Sequence, residues 1–344
     1  MKLILLLVLT LGFGHTRSQT NLVVEVNEGV SLLTTIQYLS GQLHNSTSSD
    51  YKTTLKTYFL PYRNHPAVKE LFLLDNIYPD LTELGFGFFN FPDIKMHPLP
   101  DSLSWYKYIP KPVLENYLKK CMQFYKQTKF HSFHLSQKKY YAGWAEKFTS
   151  DIKRPVAIFN STFGNRDSLN WYICLEPLND WGAHTYTQKT NPLFKKYITY
   201  QQGYFGDVDS AGKMVFKANV YDVIWHEGTH AITDNILKRY RTEINALSVL
   251  MKEDVALKKQ NISDWPHYFN ELVARSVSLA LFKKYLKQVS YEQLLKIETG
   301  RGFIHVKDVS DVIVNSFLKE GSVIAFEDIF PEIFEMLREK YKIK

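Results

Sequence analysis

Cysteine is nearly absent from this 344-residue chain: only Cys121 and Cys174 occur. Two thiols cannot make the multi-bridge framework that holds many small secreted domains together, so the fold must rest on a packed core. The unbroken apolar run from Leu3 to Leu9 falls well short of the roughly 20 residues that a membrane-spanning helix needs. There is no internal repeat, low-complexity tract or Gly/Ser linker, which argues against a solenoid or a string of tethered modules. Charge of one sign is not clustered either. The formal net charge is +7, but the lysines are spread along the chain apart from short runs such as Lys283 to Lys287. That pattern suits solvated helix faces, and no nucleic-acid motif underlies it.

The composition is 45% apolar and 22% charged, as in a globular protein with a sizeable core. Aromatics reach 15%, enough to line a groove, although core packing is their ordinary use. The segment "MKLILLLVLTLGFG" has a charged start, a short apolar stretch and a polar exit at "HTRSQT". It reads as a signal peptide over residues 1–19 and predicts an exported protein, periplasmic or secreted, with no transmembrane segment. No Cys ends the run, so no lipid-anchor site of the bacterial lipoprotein kind is expected.

From residue 20 to 150 the signals are mainly helical. "EGVSLLTTIQYLSGQL" (Glu28 to Leu43) has helical periodicity and a stop near Gly41. "HPAVKELFLLDNIY" and "KPVLENYLKKCMQFYKQT" each start with Pro in the first turn, where its missing N–H costs nothing. "GFGFFNFPDIKMHPLP" reads as a loop. From residue 151 to 344 the pattern changes. "PVAIFN" (Pro155 to Asn160), "NWYICLE" (Asn170 to Glu176) and "KMVFKAN" (Lys213 to Asn219) predict three strands, and helices return after Asp222. The fold class expected is α+β.

The segment that carries chemistry is "WHEGTHAITD", Trp225 to Asp234. On a helix, His226 and His230 share a face and reach one ion, while Glu227 lies beside it as a base for water. The flanking apolar residues favour a helix, with Asp222 a candidate N-cap. Gly228 weakens it by about 1 kcal/mol relative to Ala, tolerable where a neighbouring strand or a substrate must come close.

A catalytic zinc site usually has three protein ligands plus a water. Glu243, Glu253 and Asp254 have basic neighbours and read as surface acids. Glu271 differs. It lies in "HYFNELVARSVSLALFKKYL", an apolar helix on which Glu271, Arg275 and Ser278 form a single polar stripe. A buried carboxylate needs a partner. A local Glu271–Arg275 pair would satisfy it; a metal facing Glu271 would do so and complete the triad. His131 and His134, three apart and without an adjacent Glu, read as non-ligands.

"HEGTHAITD" resembles the active helix of thermolysin-like zinc peptidases, and "NELVAR" (Asn270 to Arg275) resembles their glutamate-bearing helix, the gluzincin arrangement. The resemblance implies a zincin-like catalytic domain over 151–344, with a small mainly antiparallel sheet. It implies Zn2+ held by His226, His230 and Glu271, Glu227 as the catalytic base, Asn270 behind a ligand imidazole, and a peptide or protein substrate. Two features depart from that group. Glu271 lies 41 residues after His230, about twice the usual separation, and Arg275 stands where the group carries an acid. More broadly, "TYFLPYRNHPAVK", the helix from Glu28, "NELVAR" and Gly302–Phe303 look like an uncharacterised family of exported bacterial proteins with a predicted gluzincin centre.

The expected activity is peptide hydrolysis by a zinc-bound water, with His267, Tyr268 and His305 as candidate oxyanion donors. "KMVFKAN" is the nearest strand to which an extended substrate could add. The alternatives are metal-assisted hydrolysis of a non-peptide substrate, or a non-catalytic zinc-containing binding protein. The intact Glu227 argues against the last, since a structural site needs no base.

Overall fold

The structure, a computed structural model, describes residues 21–43, 48–71, 80–89, 91–99, 101, 109–164, 169–179, 182–186, 191–204, 208–211, 213–216, 220–251 and 254–343. The segment expected to be a signal peptide, and Glu253, lie outside these residues. Chain order begins with β1 (Leu22–Glu25), α1 (Glu28–Ser40), α2 (Asp50–Phe59) and α3 (Pro66–Lys69). The β2 (Phe88–Phe89) and β3 (Lys95–Met96) hairpin follows, then α4 (Lys111–Gln127), α5 (Phe130–Ser136) and α6 (Lys138–Phe163). Next come β4 (Trp171–Glu176), β5 (Ala183–Tyr186), α7 (Pro192–Lys196), β6 (Ile198–Gly203) and α8 (Val220–Arg239). The chain closes with α9 (Arg241–Ala246), α10 (Val255–Lys258), α11 (Trp265–Tyr285), α12 (Gln288–Gly300), α13 (Val306–Val312) and α14 (Phe330–Tyr341).

The fold is α+β, mostly helical around one four-stranded sheet of order β1-β4-β6-β5. That sheet is mixed, not mainly antiparallel. β1 and β6 both run parallel to β4, and β5 alone is antiparallel, on β6. The reason lies in β4 and β6, whose six residues each are buried throughout. Parallel strands are covered on both faces and show no polar alternation.

"NWYICLE" supplies β4, but "PVAIFN" is helical and the described part of "KMVFKAN" is not a strand. "PVAIFN" lies inside α6. Together with upstream residues it gives buried Phe148, Ile152, Pro155, Val156 and Phe159, spaced for one helix face. Of "KMVFKAN", residues 213–216 are described, and they form only a bridge between Met214 and Val208. The boundary expected at residue 150 falls within α6, and β1, from the expected helical N-terminal part, pairs with β4.

Long helices cover the sheet and set the site. α8 packs on α6 through Trp225, whose indole N–H donates to the Pro155 carbonyl at 3.0 Å. Trp225 also meets the Phe282 ring of α11 edge-on at 5.4 Å. Each such fully buried large side chain contributes roughly 1.5–3 kcal/mol. Gly228 allows this approach: a Cβ there would come within 2.6 Å of Trp171 on β4 and 2.8 Å of Phe159 on α6. The close neighbours anticipated at Gly228 are thus the sheet and α6. Asp222 is not the cap of α8, because the helix starts at Val220 and Asp222 lies in its first turn. Cys121 and Cys174 are buried and unbridged.

Candidate metal centre

α8 carries Asp222, His226, His230 and Asp234 at four-residue intervals, a stripe along one helix face. α11 presents Glu271, Arg275 and Ser278 against it. The helices meet antiparallel. Ser278 Oγ donates to Asp222 Oδ1 at 2.6 Å at one end, and His230 Nδ1 meets Asn270 Oδ1 at 3.1 Å at the other. Between them Glu271 Oε1 lies 3.2 Å from His230 Nε2, and Oε2 lies 3.6 Å from His226 Nε2. The two Nε2 atoms are 3.1 Å apart.

The three ligand atoms of His226, His230 and Glu271 all lie within 4.8 Å of one another. The two Nε2 atoms lie within hydrogen-bond distance of each other and both face the Glu271 carboxylate. The titration of the pair reflects this. Burial lowers both imidazoles and keeps His226 well below its usual value, whereas Glu271 overcomes burial at His230 and lifts it to about 9. Burial alone would raise the Glu271 carboxyl, but His226, His230 and Arg275 together hold it well below the usual range. Asn270 accepts from His230 Nδ1–H and so turns Nε2 toward the centre, as a carboxamide or carboxylate behind a metal-bound histidine does. The donor set of two imidazoles and a carboxylate could hold a metal ion.

Glu227 is buried beside this centre. Thr185 Oγ1 on β5 is bonded to its Oε2 and also reaches its carbonyl at 3.0 Å. Burial raises its carboxyl above the usual range, opposed by His230 and by Thr185. Thr185 occupies one carboxylate oxygen of Glu227, Oε2.

The local Glu271–Arg275 pair expected as one reading of the α11 stripe is present. Arg275 Nη2 donates to Glu271 Oε2 at 2.9 Å while Oε1 of the same carboxylate faces His230. Its Nη1 donates to Glu298 Oε2 at 2.6 Å, and Arg301 Nη1 donates to Glu298 Oε1 at 2.8 Å. The guanidinium lies 4.3 Å over the Phe303 ring, a cation–π contact. Gly302, at φ +95°, turns the chain to bring Phe303 there, and a Cβ on it would strike Leu257.

His226, Glu227, His230, Glu271, Arg275 and Arg301 line a cleft of about 980 Å3, the size of a small-molecule or peptide site. Gly182 and the β5 residues Ala183, His184 and Thr185 also line it, and β5 is an edge strand of the sheet. Of the candidate oxyanion donors only His267 lines the cleft; Tyr268 and His305 are buried in the core, their rings 6.2 Å apart. Glu243 is on α9, and Asp254 caps α10 by accepting from the Ala256 N–H. His131 sits far from the centre, its Nδ1 3.0 Å from Glu28 Oε1, and His134 packs on Tyr141.

A family model described as "Domain of unknown function (DUF4932)" matches residues 106–336, two thirds of the chain. The chain belongs to this family. No curated protein and no solved structure matches it. In this DUF4932 protein every residue of the centre, from Thr185 to Phe303, falls within the matched span, while β1 and α1 precede it. Three parts of the DUF4932 site escaped sequence reasoning: Thr185, Glu298 and Arg301. For Thr185 no local signal exists. Glu298 could have been sought as the second counter-charge that a buried Arg275, already paired once, requires.

Proposed function

We propose that this protein is a zinc-dependent metallopeptidase with a zincin-like catalytic domain, acting outside the cytoplasm on peptides or proteins. The observation that carries the reading is the convergence of His226, His230 and Glu271 with Glu227 directly beside them, on the wall of a cleft bounded by an edge strand. Zinc bound there would supply Lewis acidity and a water acidified to a pKa of about 7.

The chain's own residues supply the rest. His226, His230 and Glu271 hold the ion, with Asn270 and Arg275 fixing the outer sides of two of them. Glu227 takes the water's proton on Oε1 and passes it to the leaving amine, while Thr185 keeps the carboxylate from rotating. An extended peptide pairs with the free edge of β5, in place of the segment around Lys213 expected from the sequence. His267, on the cleft wall, stabilises the oxyanion.

The test combines metal analysis with turnover of a mixed peptide library. The protein should carry one zinc per chain. Glu227→Gln should keep the zinc and lose roughly 100-fold or more of the turnover. Stoichiometric zinc with equal, negligible turnover in both proteins would favour a binding protein. Turnover confined to esters or epoxides would favour the non-peptide hydrolase.

A further inference from the structure

Two parts of the cleft lining differ in charge. β5 offers the residues Ala183, His184 and Thr185. The ends of α10 and α12 offer Lys259 and Arg301, and among the described residues no acidic one from these segments lines the cleft. The acids that line it elsewhere are engaged. Asp222 is held by Ser278, Asp234 by Lys238, Glu227 by Thr185, and Glu271 by the histidines and Arg275.

Arg301 is prepared to bind an anion. Its Nη1 is fixed on Glu298, which is 2% exposed and locked from its other side by Arg275. Its remaining nitrogens have no partner among the described residues, and half of the side chain is exposed. Lys259 is exposed, lines the same cleft and has no acidic partner among the described residues. The segments are tied together, since Gln260 Nε2 donates to the Arg301 carbonyl at 2.8 Å. A guanidinium immobilised through one nitrogen keeps its ordering cost low and offers a planar fork to a carboxylate.

We infer that the Lys259–Arg301 rim binds a carboxylate of the substrate, making this cleft selective for acidic peptides. The inference rests on the peptidase reading. Two sources share the chemistry: a free C-terminus, which would make the enzyme trim from that end, or an Asp or Glu side chain within the chain.

The experiment compares three matched peptides with the zinc-loaded protein: one with a free C-terminal acid, its C-terminal amide, and an amide carrying an internal Glu. The internal Glu peptide has a Gln counterpart. A carboxylate should raise kcat/KM by roughly 10-fold or more, through KM. Acid against amide reports the C-terminus, and Glu against Gln reports the side chain. In the Lys259→Gln/Arg301→Gln variant the ratio should fall to near one. Lys259→Glu, at an exposed turn with little structural burden, should reverse it toward a Lys-bearing peptide. Equal kcat/KM for all four peptides overturns the inference, and so does a preference that survives in the double variant. If no peptide is cleaved, the peptidase reading falls. Fluorescence anisotropy of the same labelled peptides on the Glu227→Gln protein then decides the rim separately: carboxylate-dependent binding lost in the double variant supports it, and carboxylate-independent or absent binding overturns it.

Discussion

Glu271, on helix α11 and largely buried, and Glu176, buried at the end of strand β4, are carboxylates held in opposite states. Glu271 faces two imidazoles and a guanidinium, and these outweigh the burial that would neutralise it. Glu176, at the end of β4, is surrounded by neutral donors. The Thr34 hydroxyl donates to one oxygen at 3.1 Å and the Leu178 N–H to the other at 2.9 Å. Burial pushes its pKa up to about 8, with those bonds and the charge of Lys52 opposing. Lys52 itself is directed to the Tyr204 hydroxyl, and its ammonium lies 4.6 Å over that ring. Desolvation thus prevails where neutral donors and the charge of Lys52 oppose it, and yields where two imidazoles and a guanidinium converge.

The largest effect expected from this contrast is on metal retention. Glu271→Ala should leave the protein metal-free after dialysis against a mild chelator, while Glu176→Gln, Glu243→Ala and Asp254→Ala keep one zinc per chain. Full zinc retention by Glu271→Ala would remove Glu271 from the ligand set and dissolve the contrast.

Next in size is the counter-charge. Arg275→Met strips the guanidinium from two carboxylates, one of them 2% exposed. Breaking a buried pair by removing one partner costs about 3–5 kcal/mol, because the remaining charge stays desolvated. The loss should appear in the urea midpoint, and Arg275→Lys should recover only part of it, since an ammonium lacks the fork that joins Glu271 to Glu298. A midpoint within about 0.5 kcal/mol of wild type would show that the Glu298 side of the site is solvated.

How much of this was legible depends on how each residue is encoded. His226, Glu227, His230 and Glu271 could be found because helical spacing is a local code: four-residue steps fix a face without knowledge of the fold. Glu271 stood out by isolation, as the one carboxylate on an apolar helix. Asn270 followed from the resemblance and meets His230 as expected. The extra chain between His230 and Glu271 became α9 and α10, whose end supplies Lys259 to the cleft. Thr185 and Arg301 have no such code, because β5 and the α12 terminus reach the site only through tertiary packing. The sheet was half hidden for the same reason. β6 contains buried Thr199, Gln201 and Gln202, so neither alternation nor an apolar run announces it. "PVAIFN" misled because a six-residue apolar window cannot separate a strand from one face of a 26-residue helix.

The smallest effect is also the one that isolates Glu176. Its folded pKa of about 8 stands above the ordinary value of 4.5. Below pH 4.5 the carboxyl is protonated in both folded and unfolded chains and does not affect the balance. Between pH 4.5 and 8 the unfolded chain releases the proton and the folded chain keeps it, so rising pH favours unfolding. The slope from this one group is at most ~1.4 kcal/mol per pH unit, and it ends above pH 8, where both states are ionised. Glu176→Gln keeps the size and one of the two accepting oxygens but cannot ionise. Its stability relative to wild type should therefore grow from pH 5 to pH 8, read as diverging urea midpoints, and stay level above. Glu271 predicts the opposite course in metal-free protein, because its depressed pKa makes its contribution disappear as pH falls, not as it rises. Parallel midpoint curves for wild type and Glu176→Gln across that window would mean that Lys52 compensates Glu176 as fully as the histidines and Arg275 compensate Glu271, and the two carboxylates would then differ in position but not in state.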